Sequence, residues 1–155
     1  MSAAGSSFEE GETVSSFGVI LVAVDKSEHS DRTVAAARDL ARASGGVVHL
    51  FHVLERQVVT GKDGGAFELE TEADVESLLS AEIATLDEGG VTVQPHVQRG
   101  RQEETARAIL QAADDVSADV VVLGSRGLSP FAAAVLGSTT YKVIHTSKRP
   151  VLVVP

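Results

Sequence analysis

The stretch VVVLGSRGLSPFAAAVLGSTTYKVIHTSKRPVLVV, residues Val120 to Val154, decides the fold. Val120 to Leu123 is an apolar, β-branched run with the composition of a buried strand. Gly124 ends it, and Gly127 and Gly137 follow with two and then nine residues between them. Ser129-Pro130 reads as an N-cap followed by proline at the first helical position, so Pro130 to Leu136 predicts a short helical piece. Gly137-Ser138 reopens the chain before a last helix, about Thr139 to Ser147, which leads into a second apolar strand, Val151 to Val154. Two apolar strands joined through helical segments make one crossover of a parallel sheet.

In open α/β sheets, ligands sit beyond the carboxyl ends of the strands. Glycines at that position let backbone approach a ligand closely, and their N–H groups can cradle an anion. Ser138 can cap the last helix or turn its hydroxyl to a phosphate, and the free N–H groups behind it add to an anion site. Arg126, between two of the glycines, offers a rigid fork of donors suited to phosphate oxygens. The spacing is neither GxxxxGK[ST] nor a first-strand GxGxxG. Turn glycines and a helix C-cap would leave the same letters, so the residues alone support an anion site and not a named nucleotide.

Upstream, Phe17 to Val24 is a second continuous apolar run, as a central parallel strand requires. Asp25 follows it, placed either to cap the next helix or to accept a hydrogen bond from a ligand. From His29 or Ser30 to Ser44, the positions Val34, Ala37, Ala41 and Ser44 form a small-residue stripe that can lie close on a sheet, and Gly45-Gly46 stops that helix. Val47 to Leu54 is the second strand; His49 and His52, three apart, point to opposite faces and cannot share a metal ion. Arg56 to Ala66, with Gly61, Gly64 and Gly65, reads as a long loop that covers a site or serves as an interface. Val75, Leu78, Leu79, Ile83 and Leu86 stripe a helix over Leu69 to Glu88. Val91 to Val97 is the third strand, at a sheet edge because Pro95 cannot donate to a ladder, and Gly100 follows it. A helix from about Gln102 to Ser117 precedes the fourth strand. The β-α repeat predicts one α/β domain: an open, doubly wound parallel sheet of five strands, Rossmann-like, with helices on both faces.

Composition narrows the function classes. The 155 residues suffice for one domain: a tail over 1–16, rich in Gly, Ser and Glu, and a domain over 17–155. There is no apolar run of about 18 residues, and the N-terminus lacks the basic start and apolar core of a secretory signal, so the expected location is cytoplasmic. Cysteine is absent, which excludes disulfides and thiol chemistry. The net charge of −9, from 22 acids against 13 bases, disfavours nucleic-acid and anionic-membrane partners. Lysine is limited to Lys26, Lys62, Lys142 and Lys148, and this acidic, lysine-poor balance would suit a salt-rich cytoplasm. No GxSxG elbow or HExxH pattern is present, no protein metal site can be assigned, and no general base can be placed beside Ser125, Ser129 or Ser138.

The glycine pattern Gly124, Gly127, Gly137-Ser138 resembles the mark of the nucleotide-binding branch of the universal stress proteins. The likeness runs from about Phe17 to the end and includes VAVDKS after the first strand, His52-Val53, Gly100 and the closing RPVLVV. Arg101 and Gln102 stand where a proline is frequent shortly after the third-strand glycine, and Arg126 stands where smaller or neutral side chains, or histidine, also occur. The resemblance implies strand order 3-2-1-4-5 and ATP in a cleft between the first and fourth strands. It puts Asp25 and Val53 at adenine contacts, Ala23 and Val24 along the base pocket, and Gly100 at the end of the third strand beside it. Gly124, Ser125, Arg126 and Gly127 would form the ribose and phosphate loop, with Gly137, Ser138 and Thr139 wrapping the phosphates. A divalent ion, Mg2+ or Mn2+, would be held by the phosphates themselves. The resemblance also implies a homodimer through the last strand, and Val151, Leu152, Val153 and Val154 form a short apolar edge that needs cover. The resulting expectation is an ATP-binding stress-response or regulatory dimer with slow or no hydrolysis. A nucleotide hydrolase or transferase on the same scaffold, and an interaction module independent of nucleotide, are the alternatives.

Overall fold

The computed structural model describes residues 17–27, 29–59, 65–68, 70–125 and 136–155. The element order is β1 (Val19–Val24), α1 (Ser30–Ser44), β2 (Val47–Val59), β3 (Gly65–Glu68), α2 (Glu72–Glu88), β4 (Val93–Gly100), a 3-10 turn (Gln102–Glu104), α3 (Thr105–Asp115), β5 (Val120–Gly124), α4 (Ser138–Thr146) and β6 (Val151–Val154). The parallel sheet runs β4-β2-β1-β5-β6, which is order 3-2-1-4-5 when its five strands alone are counted. Each strand is separated from the next parallel one by a helix, and that alternation dictates the crossovers.

Strand alternation splits the core between the two sheet faces. Ile20, Val22, Val24, Leu50, Leu54, Val120 and Val122 pack with Val34, Ala37 and Ala41 of α1 and Val75, Leu79 and Leu86 of α2. Leu21, Phe51, Val53, Val121 and Leu123 pack on the other face with Ala106, Ile109 and Ala113 of α3 and Val143 of α4. Central strands buried on both sides need apolar residues at every position, which is why Phe17–Val24 and Val120–Leu123 were legible. At the start of β1, the Asp119 carboxylate accepts a hydrogen bond from the Val19 N–H at 2.8 Å and so ties β1 to the entry of β5.

Several expectations change. The segment expected as a loop from Arg56 to Ala66 is in part a hairpin: β2 continues to Val59, and Arg56–Val59 pairs antiparallel with Gly65–Glu68. Two short β-forming runs flanking a glycine-rich stretch of sequence are the signal, obscured by the three glycines. Helix α2 starts at Glu72, later than expected, because Thr71 and Asp74 build a capping box. Thr71 Oγ1 accepts from the Asp74 N–H at 3.1 Å, and the Asp74 carboxylate accepts from the Thr71 N–H at 2.9 Å. The third parallel strand, β4, is offset to Val93–Gly100, so Gly100 is its last residue rather than a loop glycine. It pairs with β2 alone among the described strands, and Pro95 therefore does stand on an edge. The expected helix over Gln102–Ser117 opens with the 3-10 turn, and Ser117 lies beyond its end with a positive φ of 53°. The tail over 1–16 and the helical piece expected over Pro130 to Leu136 lie outside the described residues, Leu136 excepted.

Candidate functional site

The strand ends define a cleft. Strand β1 stops at Val24, opposite His52, whereas β2 runs on and stays paired with β4 as far as Glu55 opposite Gly100. The chain leaves β1 toward one face and β5 toward the other, so a crevice opens between them where the strand order reverses. Its cavity, about 160 Å³, is lined by Ala23 and Val24 from β1 and Asp25 just after it, Val53 and Glu55 from β2, and Leu123 and Gly124 from β5, with Gly137 to Thr140 closing one end. Of the residues singled out from sequence, Ala23, Val24, Asp25, Val53, Gly124, Gly137, Ser138 and Thr139 converge on it.

Others do not. Gly100 is outside the lining and sits behind Val53: a Cβ there would be 3.4 Å from Val53 Cγ1. Ser125 is also outside; its N–H donates to the Val154 carbonyl at 2.7 Å, and its carbonyl accepts from the Gly137 N–H at 2.8 Å. Ser125 therefore closes the glycine loop onto the last strand. Arg126 and Gly127 lie outside the described residues.

Asp25 is not a helix cap. Its carboxylate accepts from the Ser27 N–H at 2.9 Å, a local turn, and its carbonyl accepts from the Ser30 hydroxyl at 2.9 Å. Helix α1 is preceded by His29 without a side-chain cap. Ser138 is not a cap either: Gly137 occupies that position and Ser138 is the first helical residue. No side chain caps α4, and the Thr140 hydroxyl donates instead to the Gly124 carbonyl at 2.8 Å. The first N–H groups of α4 thus face the cleft without a protein acceptor among the described residues, and with the helix dipole they favour an anion.

The opposite end is acidic. His52 is buried and spans two strands: Nδ1 is 2.9 Å from the Val24 carbonyl and Nε2 is 2.7 Å from Glu70 Oε2. A carbonyl only accepts, so Nδ1 is the donor in the bond to Val24. Lys26 Nζ stands 3.8 Å from Glu70 and 3.4 Å from Asp74, linking the end of β1 to the capping box of α2. The Thr71 N–H and hydroxyl, with the Lys26 charge, hold the Asp74 carboxyl below the usual aspartate range. Glu55 Oε1 accepts from the Thr105 hydroxyl at 3.2 Å. Burial raises the Glu55 carboxyl above the ordinary glutamate value; the Thr105 hydrogen bond opposes this, while Glu70 and Asp25 add to it.

Sequence reasoning missed Phe51, His52, Glu55, Glu70, Gln102 and Thr105 as lining residues. Only the register of β2 against β1 and β4 brings them together, although β2's excess length was a usable signal. The two histidines of β2 do face opposite sides, but pairing with β4 gives His49 a partner not foreseen: Nδ1 lies 2.9 Å from His96 Nε2. Burial and then His96 lower the His49 pKa. Among the described residues, no group of three or more His, Cys, Asp or Glu could hold a metal ion. No described helix is long and apolar enough to cross a membrane.

The sequence model of the universal stress protein family matches residues 16–155. The chain belongs to that family. This universal stress protein is 35% identical over 142 residues to one from Thermus aquaticus, covering 89% of this chain and 98% of the other. It is 32% identical over 139 residues to one from Synechocystis, covering 90% and 86%. Among solved structures, a universal stress protein in complex with cAMP is similar at a TM-score of 0.70 and 26% identity, covering 90% of this chain and 98% of that one. The universal stress protein of Archaeoglobus fulgidus in complex with dAMP is similar at 0.68 and 26%, covering 90% and 99%.

Proposed function

We propose that this universal stress protein binds an adenine nucleotide, ATP in the first instance, and acts as a homodimeric cytoplasmic regulator with slow or no hydrolysis. The observation that carries the reading is the uncapped N-terminus of α4 opening into a cleft at the sheet's reversal point. The cAMP and dAMP complexes of the two similar proteins support an adenine nucleotide as the ligand. In this reading, Gly124, Ser125, Arg126, Gly127, Gly137, Ser138 and Thr139 serve the ribose and phosphates, and Ala23, Val24, Asp25, Val53 and Gly100 build the base pocket. Ser125 and Gly100 act from behind the lining, through the loop and through Val53. The described residues offer hydroxyls and N–H groups near α4 and no carboxylate cluster suited to an ion, so Mg2+ or Mn2+ would come with the phosphates.

The dimer rests on β6. One edge of it pairs with β5; the other has no described partner, and Leu152 is exposed. A second copy related by a two-fold axis would cover that edge.

The test is the nucleotide content of freshly purified protein, released by denaturation and separated by base, at moderate and at high salt. Near-stoichiometric adenine nucleotide, lost in Gly127→Val, is the expected result. Protein that is empty and fails to take up ATP with Mg2+ or Mn2+ would overturn the reading and favour an interaction module.

A further inference from the structure

The two ends of the cleft differ in chemistry. One presents backbone N–H groups of α4, next to β5; the other presents the carboxyl groups of Asp25, just after β1, of Glu55 from β2, and of Glu70, the residue before the α2 cap. From β5 to β2 is two strand spacings, roughly 10 Å. Phosphates are repelled by the carboxylates and attracted by the helix terminus, so a nucleotide has one favourable orientation, with its base toward β2.

At that end Glu70 is engaged at both oxygens, by His52 and Lys26, and Asp25 at Oδ1, by the Ser27 N–H of its own turn. Glu55 is the carboxyl that β2 itself carries, on the strand the base faces. Strand alternation puts it on the face of Phe51 and Val53, and Thr105 occupies only its Oε1. Oε2 has no hydrogen-bond partner among the described residues and is not a sealed atom, since no buried side-chain polar atom lacks a partner. It is an acceptor held ready by Thr105 at the cleft wall. A base seated against it displaces water from it and must supply a donor in return, or leave it unpaired.

We propose that Glu55 is a specificity-determining residue that accepts a hydrogen bond from the exocyclic amine of the bound base, so that the cleft selects amine-bearing purines over purines without one. This inference rests on the nucleotide reading above. The direction of the Glu55 shift agrees with it: burial and the neighbouring charges of Glu70 and Asp25 leave the ionised carboxyl short of compensation, which an incoming N–H donor supplies. A site built to hydrogen-bond a ligand group rejects the analogue that lacks it more strongly than an apolar pocket could.

The experiment compares the dissociation constants of ATP and purine riboside triphosphate, which lacks only the amine, in the wild type, Glu55→Met, Glu55→Ala and Thr105→Val. Thermal unfolding confirms that each variant is folded. The wild type is expected to prefer ATP by about tenfold or more. In Glu55→Met and Glu55→Ala the preference should fall to about threefold or less, chiefly through weaker ATP binding, and Thr105→Val should fall between. A wild type that binds ATP and shows no preference would overturn the inference, as would a folded Met or Ala variant that keeps the full preference. A wild type that binds neither nucleotide would overturn the underlying nucleotide reading instead. The Ala variant, which asks nothing of the packing, keeps the test open should the Met variant not fold.

Discussion

Glu82 is buried in α2 with 3% of its surface exposed, an unusual position for a carboxyl with no cation beside it among the described residues. Burial, and secondarily the Asp31 charge, push its pKa up to about 7 from the ordinary 4.5, with the Ser30 hydroxyl offsetting part of the rise. The unfolded chain releases the proton near 4.5, whereas the native state keeps it to about 7. Between these values the native state binds the extra proton, so stability from this group is complete below about pH 4.5 and is lost as pH rises through 7. A difference of roughly 2.5 units at 1.36 kcal/mol each gives about 3 kcal/mol. Glu82→Gln keeps the shape and cannot ionise. It should match the wild type within about 0.5 kcal/mol at pH 4.5 and exceed it by about 2–3 kcal/mol at pH 8, a midpoint gain of the order of 1 M urea. The chain has no tryptophan and one tyrosine, so far-UV circular dichroism is the suitable probe of urea unfolding at pH 4.5, 6, 7 and 8. An equal gain at every pH would refute the reasoning, because packing rather than charge would then be responsible.

Three further outcomes follow from the packing. His52→Leu leaves Glu70 buried without its ring partner and removes the Nδ1 bond to the Val24 carbonyl, so it should cost about 3 kcal/mol in urea unfolding, and adding Glu70→Leu should recover more than half; simple addition of the two single losses would contradict the pair. Gly46→Ala places a Cβ 2.4 Å from the Phe17 carbonyl and 3.1 Å from that of Gly18. Both carbonyls are held, by Ser44 and Val47, so a loss of about 2 kcal/mol or more is expected, against about 1 kcal/mol at Gly90, where the space is open and only the positive φ is strained. Leu152→Glu should convert the proposed dimer to a folded monomer in light scattering; a dimer that persists would move the interface away from β6.

Much of this molecule was legible as letters. Parallel strands buried on both faces have to be continuous apolar runs, and Phe17–Val24 and Val120–Leu123 announced themselves for that reason. Gly124, directly after Val120–Leu123, and Gly137 marked one end of the cleft. Glycine-rich Arg56–Ala66 misled because its glycines read as loop, while the antiparallel pairing of Arg56–Val59 with Gly65–Glu68 is visible only in three dimensions.

By itself, then, the sequence determined the α/β alternation, the family likeness and the glycine-lined end of the cleft, since each depends on residues near one another in the chain. Only the tertiary structure decided the acidic end. Glu55 meets Thr105 across 50 positions, His52 reaches the Val24 carbonyl across 28, and His49 meets His96 across 47. Those meetings follow from strand register, and register is set by the packing of whole faces, which no local pattern of residues records.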